Sequence, residues 1–245
     1  MERQDKPAIL ILHPLFLAGE DLQKQGVFSA LEKRYRLVFI DLPSHGSKMG
    51  HAFGELDQVV GAVANELMVR EAGTDFVASI GLSLGARILL ELQARGHELG
   101  LCILDGLVLF DDPRVTLKQS LGTMRRVRLF SKMAPWLVRW IFTKLYGPVC
   151  GAAMLRHSQA MEWKSLCKIL EGCCSPLPTL TAGQLRKIRF LFGGKEDSYK
   201  HIMTLTNKYP KAEVLVQENY DHIQFCANET KDYCALVERL IAGNE

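Results

Sequence analysis

Short, mainly apolar runs alternate along the chain with longer stretches in which apolar residues recur every three or four positions. The runs are PAILIL at 7–12, RLVFIDL at 36–42, FVASIGL at 76–82, LGLCIL at 99–104, KIRFLF at 187–192 and AEVLV at 212–216. The first run, continuous and apolar, fits a strand covered on both faces, as in a parallel sheet, and the others read as strands beside it. Between them, Leu22, Val27, Phe28 and Leu31 share one face of a helix expected over about 19–35. Val59, Val60, Val63 and Leu67 do the same over about 56–69, and further helices are expected near 84–95, 199–207 and 229–242. Strands alternating with helices require crossover connections, so the expected fold class is α/β: a mostly parallel sheet flanked by helices.

Residues 111–180 break this alternation. They contain no convincing strand, carry Pro113, Pro135, Pro148, Pro176 and Pro178 as breakers, and read as three or four helices. The expected organisation is a core of 1–111 and 181–245 interrupted by a helical insertion at 112–180. Charge sharpens that division. Residues 113–180 hold eleven Lys/Arg against two Asp/Glu, a net of +9, whereas the whole chain is only +3, which leaves the rest near −6. Such asymmetry points either to contact with something anionic or to the solvated face of a helix.

At 245 residues and 48% hydrophobic the chain can bury a substantial core. It has no run of about 18 apolar residues, and the opening MERQDK is too polar for a signal peptide, so the expectation is a cytoplasmic protein without a membrane span. Seven cysteines without a C-x-x-C pair argue against a disulfide framework or a zinc site. No phosphate-binding loop and no G-x-G-x-x-G follow the first strand, and no spaced His/Cys/carboxylate cluster is present, so neither a cofactor nor a metal is expected. Nucleic acid is not an expected partner either.

The chemistry concentrates in the segment from Phe76 to Arg95, which reads as strand, tight turn and helix. Gly81 and Gly85 bracket Ser83 as G-x-S-x-G, leaving small residues where a sharp strand-to-helix turn would lift one hydroxyl out of the sheet. Leu84 opens the helix with an N–H that has no intrahelical partner. Two later strand-end loops carry Gly193 to Ser198 and Glu218 to His222. In open parallel sheets ligands bind beyond the carboxyl ends of strands, so these loops converge.

These residues resemble the α/β-hydrolase superfamily over about residues 7–235. His13-Pro14-Leu15 stands where that family usually has His-Gly-X, Asp41 to Gly46 resembles its D-x-P-G-x-G turn, and Gly81 to Gly85 its nucleophile elbow. Gly193 to Asp197 resembles its acid loop and His222 its late histidine, in the matching chain order. The resemblance implies a serine hydrolase with an inserted helical cap. Ser83 would be the nucleophile, His222 its base in preference to His201, and Asp197 the orienting acid in preference to Asp105 at the end of the fourth strand. Glu196, adjacent, is expected to be exposed. The oxyanion hole would be the backbone N–H groups of Leu15 and Leu84, with Phe16 as fallback donor, because Pro14 has none.

The apolar stretch MAPWLVRWIFTKLY at 133–146 would roof the cleft through Trp136, Trp140 and Phe142, or pack the cap on the core. The expected substrate is a small molecule with an apolar acyl group in ester or thioester linkage. The basic cap favours a CoA- or lipid-linked form, or peripheral contact with an anionic membrane. Alternatives are a carbon–carbon bond hydrolase or lyase on the same triad, and a non-catalytic binding protein.

Overall fold

The computed structural model describes residues 6–243; most of the polar MERQDK opening, and the outer ends of the expected core, lie outside them. Six parallel strands form one sheet in the order β2-β1-β3-β4-β5-β6: β1 Ala8–Leu12, β2 Arg36–Ile40, β3 Phe76–Leu82, β4 Leu101–Asp105, β5 Ile188–Gly193 and β6 Glu213–Gln217. The differing apolar content of the runs explains the layout. β1 and β4 are buried at every position, whereas the terminal strand β6 is half-exposed. The chain moves from β1 outward to β2, then crosses back to β3 on the other side of β1, so a crevice opens at the carboxyl ends of β1 and β3.

The helices flanking these first strands are α1 Gly19–Gln25, α2 Leu56–Arg70 and α3 Leu84–Ala94. The single helix expected over 19–35 is instead α1 plus a 3₁₀ turn at Leu31–Lys33. Gly26 is the cause. It takes φ +75° and donates its N–H to the carbonyls of Leu22 and Gln23, which closes α1 with a left-handed cap.

Four helices follow β4 as the insertion: α4 Pro113–Met133, α5 Pro135–Tyr146, α6 Pro148–Ala160 and α7 Trp163–Cys173. Three of the expected breakers, Pro113, Pro135 and Pro148, are the first residues of helices, where a missing N–H costs nothing. Asp112 caps α4 by accepting from the N–H groups of Arg114 and Val115. The four helices bury very different amounts. Ser131 is the single buried residue of α4 and Val138 that of α5, while α6 and α7 bury six each.

The segment returning from α7 is fixed from beneath. Arg87 of α3 is 1% exposed and donates to the carbonyls of Ser175 and Pro176 and to the Ser175 hydroxyl, while pairing with Glu91. The chain then runs through α8 Ala182–Arg186 to β5, a 3₁₀ turn at Asp197–His201, α9 Ile202–Lys208, β6, α10 Gln224–Asn228 and α11 Thr230–Ala242. Among the described residues no helix is long and apolar enough to cross a membrane.

Candidate active site

The junction of β3 and α3 holds Ser83 at φ +53°, ψ −106°, a conformation that a residue with a side chain adopts only when its surroundings enforce it. Here the enforcement is backbone against backbone. A Cβ on Gly81 would sit 2.6 Å from the Gly85 carbonyl oxygen, and one on Gly85 only 2.1 Å from that of Leu12. The Ser83 N–H donates to the Asp105 carbonyl at 2.8 Å, tying the turn to β4. The hydroxyl is thereby aimed away from the sheet.

His222, in the loop after β6, places Nε2 2.8 Å from Ser83 Oγ. Its Nδ1 is 2.6 Å from Glu196 Oε2. An ionised carboxylate only accepts, so Nδ1 carries the proton, and Nε2 is left to accept from the serine hydroxyl. Burial alone would lower the His222 pKa. The hydrogen bond and charge of Glu196, followed by Asp105 and Asp221, outweigh it and hold the pKa above the ordinary imidazole value.

The residue behind the ring is therefore Glu196, not Asp197. Glu196 is 1% exposed, takes an extended backbone just after β5, and steadies its other oxygen on the Gly193 N–H. The chain turns into a 3₁₀ helix at the next residue, which swings Asp197 outward. Its side chain is 92% exposed and pairs with Lys200 at 2.6 Å. His201 lies away from Ser83, 2.9 Å from Asp111. Asp105 is buried at the end of β4, and its Oδ2 has no hydrogen-bond partner among the described residues.

Asp105 still acts on the site through its charge. Burial first, and the neighbouring Glu196 second, raise its pKa to about 7, so near neutrality it is part ionised and adds to the negative field that raises His222. Asp105→Asn removes that contribution and lowers the His222 pKa. The acidic limb of the kcat/KM profile should move to lower pH; an unmoved limb would leave Asp105 a packing role alone.

Two neutral histidines shape the loop opposite Ser83. His13 accepts the Leu42 N–H on Nε2 at 2.9 Å and donates from Nδ1 to the Pro14 carbonyl. His45 accepts the Phe16 N–H on Nε2 at 3.2 Å and donates from Nδ1 to the Pro43 carbonyl. Burial lowers the His13 pKa to about 4 and that of His45 well below its ordinary value, so both rings stay neutral and keep Nε2 as an acceptor. Phe16 sits at φ +64° with its N–H committed to His45, which removes it as a fallback oxyanion donor. Leu15 lines the cleft beside Ser83.

The cleft at Ser83 has a volume of about 260 Å³ and a mainly apolar wall that includes Met124, Val127, Phe142, Leu145 and Tyr146. Of the three cap aromatics expected here, only Phe142 reaches it. Trp136 and Trp140 are 73% and 59% exposed. The reason is helical geometry: Phe142, Leu145 and Tyr146 share one face of α5, and Trp140, two residues before Phe142, lies about 200° round the axis. Two contributors escaped the sequence reading, Glu196 and His45. The spacing of Asp197 and Lys200, three apart as in a surface helical ion pair, was a signal for Glu196; nothing in the sequence pairs His45 with Phe16.

A family model described as the alpha/beta hydrolase family matches residues 9–225. No curated protein sequence matches the chain. Among solved structures, a carboxylesterase of the ammonia-oxidizing thaumarchaeon Nitrososphaera gargenis superposes with a TM-score of 0.72 at 12% identity, covering 98% of this chain and 91% of that one. An esterase of Exiguobacterium antarcticum gives 0.67 at 17% identity, with 96% and 92% covered. An alpha/beta hydrolase family protein of Desulfitobacterium hafniense gives 0.69 at 15% identity, with 97% and 96% covered. At these identities the likeness is one of fold. The chain belongs to the alpha/beta hydrolase family.

Proposed function

From that membership and the site geometry we propose that the protein is a serine hydrolase cleaving a carboxylic ester or thioester with an apolar acyl group. The observation that carries the reading is the continuous chain Ser83 Oγ, His222 Nε2, His222 Nδ1, Glu196 Oε2, with links of 2.8 and 2.6 Å. Ser83 Oγ attacks the acyl carbon as its proton passes to His222 Nε2. Glu196 keeps the ring oriented and stabilises the imidazolium. The carbonyl oxygen, now an oxyanion, is received by the N–H groups of Leu15 and Leu84. His222 returns the proton to the departing alcohol or thiol, leaving an acyl ester on Ser83. Water, deprotonated by the same nitrogen, attacks that ester, releases the acid and restores the hydroxyl.

The apolar wall and modest volume of the cleft support a short to medium hydrocarbon acyl group. The raised His222 pKa adds a requirement: the base works only above the ordinary imidazole range, near 6.5, so activity should climb toward alkaline pH. A fluorophosphonate probe tests the nucleophile. It should label the wild-type protein on the peptide holding Ser83 and leave Ser83→Ala unlabelled. An unlabelled wild type would overturn the proposal.

A further inference from the structure

The exposed large apolar side chains of this protein are not scattered. Of ten among the described residues, seven lie on α4 and α5. On α4, Arg126, Leu129, Phe130 and Met133 follow the i, i+3, i+4, i+7 spacing of one helix face. On α5, Trp136, Arg139, Trp140 and Lys144 stand at i, i+3, i+4 and i+8 and likewise share one face, and Ala134 alone separates α4 from α5. The opposite faces of the same helices hold Met124, Val127 and Phe142 against the Ser83 cleft. The outer apolar stripe is thus surplus to packing.

Its charge is uniform. No Asp or Glu occurs between Pro113 and Met161, so nothing on either helix neutralises Arg126, Arg139 or Lys144. The Lys144 ammonium lies 5.5 Å from the Trp140 ring centroid, with the cation and the indole presented to solvent together. Cations of one sign running through an apolar patch, with no acidic residue among them, fit a uniformly anionic surface. They match a bilayer surface, where tryptophan rings settle at headgroup level, apolar tips enter the acyl boundary and basic side chains meet anionic lipid.

We infer that the outer face of the α4–α5 hairpin is a peripheral docking surface for an anionic lipid bilayer, with Met133, Trp136 and Trp140 entering the interface and Arg126, Arg139 and Lys144 contacting lipid phosphates. Docked so, the wall of the Ser83 cleft rests on the membrane. This goes beyond the hydrolase reading and stands independently of it, since binding needs no turnover.

Sedimentation of the full-length Ser83→Ala protein with vesicles of phosphatidylcholine, with and without phosphatidylglycerol, tests it. The protein should pellet with phosphatidylglycerol vesicles and bind at least about tenfold more weakly without that lipid or in molar salt. Trp136→Ser/Trp140→Ser should lose about tenfold in binding. Arg126→Gln/Arg139→Gln/Lys144→Gln should erase the preference for anionic lipid. Unchanged melting temperatures will show that these exposed substitutions leave the fold intact. Failure to pellet would overturn the inference. So would pelleting that ignores the tryptophan substitutions, or a dimer in sedimentation velocity that the same substitutions dissolve without any vesicle binding.

Discussion

Glu196→Gln is expected to lower kcat about 10³- to 10⁴-fold, whereas Asp197→Asn leaves it within about twofold. The two substitutions are chemically alike and one residue apart, so the contrast isolates position. The glutamine keeps the shape of the buried side chain but can turn an amide N–H toward His222 Nδ1. The ring then carries its proton on Nε2, the atom 2.8 Å from Ser83 Oγ, and can no longer accept from the hydroxyl. It also loses the charge that stabilises the imidazolium. Asp197, 92% exposed and paired only with Lys200, has no such leverage. Steady-state kinetics on one p-nitrophenyl ester decides the matter; a crippled Asp197→Asn with a healthy Glu196→Gln would reverse the assignment.

Gly85→Ala is expected to cost more than about 3 kcal/mol of folding stability, or to prevent folding. The added methyl would meet the carbonyl oxygen of Leu12 at 2.1 Å and its carbon at 2.6 Å, and neither atom can rotate away because Leu12 is hydrogen-bonded into a central strand. Relief requires moving α3 off the sheet, which also moves Ser83. Gly61→Ala and Gly122→Ala provide the control. Both glycines are within helices with nothing in the 4 Å around a new Cβ, so each alanine should stabilise by about 0.5–1 kcal/mol through helix propensity. Urea unfolding measures all three. A Gly85→Ala protein within about 1 kcal/mol of wild type would contradict the close approach of helix and strand.

Much of this fold was readable in the sequence because strands and helices space their apolar residues differently. Each of the six apolar runs overlaps a strand, with ends agreeing within a few residues. Where one backbone angle decides, the spacing fails. Val27, Phe28 and Leu31 keep helical spacing and are buried together with Leu22, but Leu22 is out of phase with them and Gly26 at φ +75° ends the helix in between. The elbow was legible from its two glycines, since only a missing side chain permits so close an approach. The acid was not, because an Asp and a Glu stood side by side and chain order alone cannot say which points inward. Only the extended backbone at Glu196, followed at once by a turn, separates them. The tryptophans misled for a related reason. Aromatic content suggested a roof, but which side of α5 a ring occupies depends on the phase of the helix, and Trp140 and Phe142 are out of phase.

The unequal burial of the four inserted helices divides stiffness between them. With six buried residues each, and with Arg87 gripping the segment of chain that follows, α6 and α7 are set more deeply in the scaffold than α4 and α5. The preceding two helices, each with one buried residue, pack on one another and on α6 rather than on the sheet. Any breathing that admits a bulky acyl chain must therefore fall on α4 and α5, as a swing about a fixed jamb, and amide hydrogen exchange should run faster there than in the pair behind.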